Sequence, residues 1–166
     1  MSAPNDVPSL DELANIGLFG GLDPTTLGEF VQRLPILRLG AGEVVFREGD
    51  AGRDLFVLLQ GEMEVIKQSK SLRESRVAVF GPGDWFGEMS ILDIMPRSAT
   101  VRAVAPARVM KMSASDLENL YRKDVKAYAI VVLNIAREMS RRLRVADKIL
   151  ADRSEEHTSE LQSLTN

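Results

Sequence analysis

The sequence predicts a mainly β fold with flanking helices: a β-roll or jelly roll followed by a long C-terminal helix. Between Ile36 and Met112, apolar residues alternate with period two in short runs separated by glycine-bearing turns. That pattern belongs to strands closing into a barrel or double sheet. On either side of this region the period becomes helical. From Asp124 to about Ala151 the chain contains neither glycine nor proline, so one uninterrupted helix is expected there. Residues 1–152 fit one domain, with helices over 9–34, the β-roll over 36–112 and C-terminal helices over 113–152.

In chain order, Met1–Pro8 is polar and proline-containing and is expected to fray. Ser9–Ile16 predicts a short helix, with Ser9 as N-cap and Glu12 placed for a capping box. Leu18–Leu22 is a turn. Asp23 caps a second helix whose first position is Pro24, and Leu27, Phe30, Val31 and Leu34 form its apolar face. The strands follow as Ile36–Leu39, Glu43–Phe46, Asp54–Leu59, Glu62–Lys67, Arg76–Phe80, Ala99–Val104 and Arg108–Met112. Glycines in the intervening turns suit positive φ. Gln68–Ser75 is a polar, exposed loop. Trp85 offers a face for stacking on a flat ligand ring, although a strand aromatic is more commonly core. Ser113 caps a helix that faces inward through Leu117 and Leu120, and Asp124 caps the long one. On the latter, Val125, Val132, Met139 and Ala146 recur every seven residues beside a second row of Tyr128, Ile135, Arg142 and Ile149, which the arginine interrupts. Such rows either pair with a second copy as a coiled coil or lie on the β-roll of their own chain.

Composition narrows the function. The chain has no cysteine, hence no disulfide, thiolate metal site or cysteine nucleophile. No apolar run reaches the roughly 20 residues of a membrane span, and no basic-then-apolar leader opens the sequence; a cytoplasmic location is expected. Residues 153–166 stand apart from the rest of the chain, because Arg153–Ser163 resembles the translation of a common sequencing adapter rather than a native tail. On that reading His157, the only histidine, carries no functional weight, and the natural chain continues past Asp152. The tail holds one arginine against three glutamates, so the remainder carries a net charge of −1 rather than −3.

The organising stretch is Phe86–Val101, FGEMSILDIMPRSATV, in which an acid, Glu88, beside the glycine and a lone base, Arg97, after the proline stand among mostly apolar and small residues, with Asp93 between them. Gly87 frees the chain to turn, and Glu88–Leu92 can form one helical turn whose first N–H groups favour an anion. Pro96 ends any helix, and the chain re-extends into the next strand. Ser90, Ser98 and Ala99 are small enough for a ligand to approach the backbone. A guanidinium fits phosphate oxygens and stays charged, whereas a carboxylate only accepts and suits a sugar hydroxyl. The chemistry implied is recognition of a ribose phosphate; the alternative is a salt bridge between Glu88 and Arg97 across the loop.

With F-G-E, a short apolar turn and P-R-S-A-T-V in order, this stretch resembles the phosphate-binding cassette of cyclic nucleotide-binding domains. These domains are shared by catabolite-activator-type regulators and cyclic-nucleotide-dependent kinases. The opening L-F-x-G-L and the run R-E-G-D-A-G-R-D-L-F-V-L-L-Q-G-E-M-E-V resemble the same family. The resemblance implies that Glu88 accepts from the ribose 2′-hydroxyl. It implies that Arg97 holds the cyclic phosphate with Ser98 and with backbone N–H groups near Gly87, Met89 and Ala99. It also implies that the long helix closes over the base. In the bacterial regulators R-R-L-x-V precedes two hydroxyl residues; here Arg141–Val145 precedes Ala146 and Asp147. Asp147 is thus a candidate acceptor for adenine or guanine hydrogens, or a solvated acid beside Arg144 or Lys148. The ligand implied is cAMP in preference to cGMP, with no metal, and a homodimer through helix 124–151.

Arg137, Arg141, Arg142, Arg144 and Lys148 form a basic run, but the low net charge and the lack of a helix-turn-helix argue against nucleic acid. A cupin-type enzyme needs metal-binding histidines, and residues 1–152 have none. The alternatives carried forward are a ligand-free scaffold or dimerisation module, and the N-terminal sensor of a truncated transcription regulator with an unidentified downstream effector.

Overall fold

The computed structural model describes residues 7–165, so most of the N-terminal stretch expected to fray lies outside it. Two four-stranded antiparallel sheets face each other. One has the order β1 (Ile36–Leu39), β8 (Ala107–Ser113), β3 (Asp54–Gln60), β6 (Trp85–Phe86). The other has the order β2 (Val44–Phe46), β7 (Thr100–Ala103), β4 (Met63–Gln68), β5 (Glu74–Phe80). This is the anticipated jelly roll, with Trp85–Phe86 added as a short edge strand and β5 beginning two residues earlier than expected. The Gln68–Ser75 stretch is exposed, as read, but forms the tip and first rungs of the β4–β5 hairpin. Gly61 turns β3 into β4 with φ +98, and a Cβ there would stand 2.5 Å from the Pro106 carbonyl, so only glycine fits.

The first sheet is covered on both faces, which is why its strands read as nearly continuous apolar runs. Leu55, Val57 and Leu59 of β3, Met110 and Met112 of β8 and Trp85 of β6 meet the helices. Phe56, Leu58, Val109 and Phe86 alternate to the opposite side and fill the barrel with Met63 and Val101. Trp85 is therefore core, only 5% exposed.

Around the roll lie α1 (Leu10–Ala14), a 3-10 turn (Gly17–Phe19), α2 (Pro24–Val31), α3 (Met89–Leu92), α4 (Ala114–Lys123) and α5 (Val125–Leu164). Three N-caps follow the sequence: Asp23 accepts from Thr25 and Thr26, Ser113 forms a full capping box with Asp116, and Asp124 accepts from Ala127. The capping box expected at α1 is half made. Ser9 accepts from the Glu12 N–H, but the Glu12 carboxylate turns to Arg108 on β8 at 3.2 Å. The helix stops at Ala14, short of Ile16, whose backbone is already extended at ψ 121.

Helix α5 corrects one expectation and separates two alternatives. It runs on through the tail to Leu164 instead of ending near Ala151, because residues 152–164 also lack a helix breaker. Its second heptad row does not face outward: Tyr128 is partly buried, Ile135 fully so, and both pack on the core of their own chain. The outward seam lies one residue further on. Ala129, Ala136, Leu143 and Leu150 are exposed and alternate at three- and four-residue steps with Val132, Met139 and Ala146, of which Met139 also packs on the core of its own chain. Leu143 and Leu150 are 63% and 65% exposed. Among the described residues, no helix is long and apolar enough to cross a membrane.

Candidate functional site

A cavity of about 600 Å³ opens between the second sheet, the cassette and α5, a volume in the usual range for a small organic ligand. Gly87, Glu88, Met89, Ser90, Arg97, Ser98 and Ala99 all line it, together with Phe46, Val65, Phe80 and Val101 from the strands. The cassette residues predicted from sequence are thus brought to one place, with Glu88 only 6% and Arg97 only 5% exposed. Asp147 is not. It is exposed on α5, more than a helical turn beyond the cavity-lining Arg142, and lines no part of the cavity. Trp85 does not line it either.

The acid and base do not pair with each other. Arg97 Nη1 donates to the carbonyls of Asp54 at 2.9 Å and Gly87 at 3.2 Å. Its guanidinium carbon lies 4.1 Å from the centre of the Phe46 ring. Its Nε is buried and has no hydrogen-bond partner. Two glycines make room for the group: a Cβ on Gly87 would stand 2.8 Å from Nη1, and one on Gly52 would stand 2.8 Å from Nη2 and 3.0 Å from Nε. Burial pushes the Arg97 pKa below its ordinary value, and the fields of Asp54, Asp50 and Glu88 draw it partly back. The guanidinium remains charged at any working pH.

Glu88 instead meets Arg142 of α5, whose Nη1 donates to Oε1 at 2.9 Å while Nη2 donates to the Trp85 carbonyl at 2.8 Å. The Arg142 guanidinium carbon also lies 5.2 Å from the Phe80 ring centre, and its Nε stands 3.4 Å from Glu138. Sequence reading passed over this residue as a flaw in a helical row. The available signal was that flaw: an arginine repeating at seven-residue spacing with Tyr128 and Ile135 is directed at the chain's own core side.

The cavity can therefore offer an anion an orphaned donor on a charged arginine, and offer a hydroxyl the second oxygen of a buried carboxylate. Among the described residues, no group of three or more His, Asp or Glu side chains converges as a metal site.

Comparison with known proteins accords with this arrangement. A sequence profile described as "Cyclic nucleotide-binding domain" matches residues 36–124. The chain is 29% identical over 144 residues to a CRP-like cAMP-activated global transcriptional regulator of Mycobacterium tuberculosis, covering 86% of this chain and 62% of that protein. It is 34% identical over 134 residues to the cyclic AMP receptor protein of Thermus thermophilus, covering 78% of this chain and 58% of the relative. A cyclic nucleotide-binding domain from Methylobacillus flagellatus superposes with a TM-score of 0.79 at 27% identity, over 86% of this chain and 83% of that one. The chain spans about three fifths of the length of these two curated relatives. It belongs to the cyclic nucleotide-binding domain family.

Proposed function

We propose that this chain is a cytoplasmic sensor domain, not an enzyme, that captures a cyclic nucleotide, cAMP in preference to cGMP, and passes the event to its C-terminal helices. The observation that carries the reading is Arg97: a buried cation with an unpartnered Nε, lining a cavity that also holds Glu88. Among the described residues three buried side-chain donors lack a partner, Trp85 Nε1, Arg108 Nε and Arg97 Nε, and of these residues Arg97 alone lines the cavity, where an acceptor is missing. The cyclic phosphate supplies it here, with Ser98 and the backbone around Gly87, Met89 and Ala99 beside it and Ser90 behind. Glu88 has one oxygen on Arg142 and the other left for the ribose 2′-hydroxyl. The preference for cAMP is supported by the similarity to the cyclic AMP receptor protein of Thermus thermophilus. Asp147 has no part in this scheme.

A ligand-free scaffold is the competing reading, and it draws support from the Glu88–Arg142 pair, which satisfies the carboxylate without ligand. It leaves the Arg97 donor unexplained.

Calorimetric titration and thermal unfolding with cAMP and cGMP test the proposal. Ligand at about a hundred times its dissociation constant stabilises by about 2.7 kcal/mol, which for a chain of this size raises the midpoint by roughly 5–10 °C. Arg97→Lys keeps the charge but loses the fork, and affinity should fall steeply; Glu88→Gln should lose discrimination against the 2′-deoxy nucleotide. Absence of any shift at millimolar ligand would leave the scaffold. Arg97→Ala is the poorer probe, because removing a side chain that satisfies two carbonyls also destabilises the unliganded protein.

The same proposal includes a homodimer through the outward seam of α5, from Ala129 to Leu150, whose alternating three- and four-residue steps suit a two-stranded coiled coil. Sedimentation of wild type and Leu143→Asp tests it; a monomer in both rejects the dimer.

A further inference from the structure

We propose that Phe46 is a positioning residue for Arg97, holding the guanidinium by its face so that its donors stay free for an anion. The inference rests on the sensor reading above and adds to it the means by which the arginine is kept ready.

A buried arginine is ordinarily held by a carboxylate, which occupies its N–H groups. Arg97 makes no such ion pair. The groups in contact with it are two backbone carbonyls, both on Nη1, and the Phe46 ring at 4.1 Å, with the Phe56 ring centre farther off at 5.9 Å. The carboxylates of Asp54, Asp50 and Glu88 act on it only through their field. A ring and a carboxylate differ in what they cost an incoming anion. The ring quadrupole attracts the cation through the flat face of the guanidinium, whereas phosphate oxygens approach in the plane of its N–H groups. Cation and anion binding then use different parts of one group. A carboxylate would have to be displaced before phosphate could bind; a phenyl ring does not.

The ring is itself fixed. Its centre lies 5.9 Å from that of Phe56 and 6.0 Å from that of Phe86. Phe86 stacks in turn on Phe80 at 5.7 Å. Phe46 is the last rung of β2, paired with Val101 of β7 beyond a register shift at Val44/Phe46. Leucine at this position would fill much of the space without a quadrupole, and the long Arg97 side chain would then be ordered only when ligand arrives.

The experiment compares wild type, Phe46→Leu and Phe46→Tyr. In unliganded protein, NMR with labelled arginine reads the Arg97 Nε–H and its δ-methylene protons, which the Phe46 ring should shift upfield. Calorimetry with cAMP and with cGMP reads affinity. Phe46→Leu should abolish the upfield shift and weaken binding by up to about tenfold, the cost of ordering one long side chain on association. Phe46→Tyr should keep the shift and bind within about twofold of wild type. Affinity and Arg97 signals unchanged in Phe46→Leu would overturn the role. Arg97 protons at their random-coil positions in wild type would overturn it without any variant. If wild type bound neither nucleotide the sensor reading would fail, and Phe46 would still be judged by the Arg97 signals alone.

Discussion

Replacing Arg142 with methionine should loosen α5 from the roll, by an amount that follows from its contacts. The substitution keeps the apolar stem and removes a charged hydrogen bond to Glu88 at 2.9 Å, another to the Trp85 carbonyl at 2.8 Å, and the guanidinium over Phe80. A hydrogen bond to a charged group contributes about 1.5–3 kcal/mol, and a partly exposed cation–π contact about 0.5–1 kcal/mol. Glu88 is left buried without its partner, its side chain only 7% exposed, but the Arg142 side chain is 33% exposed, so water screens part of the pair. The net loss should be about 2–3 kcal/mol, or roughly 4–12 °C in the midpoint. Urea unfolding followed by the fluorescence of Trp85, the single tryptophan, measures it. A double-mutant cycle with Glu88→Gln then isolates the pair, since the doubly substituted protein should lose less than the two single losses together. Costs that add to within about 0.3–0.5 kcal/mol would show that Arg142 and Glu88 do not act as a unit.

Gly52→Ala should lower affinity for the ligand more than it lowers stability. The new Cβ meets Arg97 Nη2 at 2.8 Å, the far end of a flexible side chain that can swing away, and no positive φ is at stake. Matched calorimetry and thermal unfolding check it, and unchanged affinity would mean that Arg97 tolerates displacement. Glu64 gives a pH prediction. Hydrogen bonds from Arg102, then from Arg76, hold its carboxyl below the ordinary 4.5. The unfolded state therefore binds the proton first as pH falls, so this contribution is complete above the unfolded pKa and is lost as pH drops through the folded one. Glu64→Gln should flatten the acid limb of a stability–pH curve below about pH 5, and an unaltered slope there would deny the effect.

The strands, the turns and the helix caps were legible because each rests on neighbours in sequence. Alternation marks a strand wherever it lies, and Asp23, Ser113 and Asp124 cap helices through N–H groups two or three residues away. Glu88 and Arg97 were legible as a constellation because one short cassette carries both. What escaped reading depends on contacts between distant parts of the chain. Phe46 reaches Arg97 and Glu48 reaches Thr100 only after β2 pairs with β7. Arg142 reaches Glu88 only after α5 folds back across the roll. A seven-residue period fixes which residues share a row on a helix but not which row is covered. Rows 128/135/142 and 129/136/143 differ by one step of about 100°, and from sequence the first, broken by Arg142, looks no better suited to burial than the second. Asp147 was assigned by its place after a family motif, yet a helix that has already passed the cavity at Arg142 carries it away.

That geometry also bears on how a ligand event would travel. Asn134 pins α5 to the 3-10 turn, its Nδ2 donating at 2.9 Å to the carbonyls of Leu18 and Gly20, and Ile135 is fully buried beside it. Beyond Met139 the helix has one tether to the roll, Arg142, and residues 143–165 are exposed throughout. A tether that rests on Glu88 shares its acceptor with the ribose hydroxyl of the proposed ligand. Any change in that sharing acts on the last fixed point of a rigid element, with Asn134 as the pivot behind it and the Leu143–Leu150 part of the seam ahead of it. Helices are stiff and packed contacts have discrete alternatives, so a small shift at Arg142 is enlarged along the seam. The Arg142→Met protein should therefore show faster amide exchange from Leu143 onward and unchanged exchange around Asn134. Uniform loosening of all of α5 would place the pivot elsewhere.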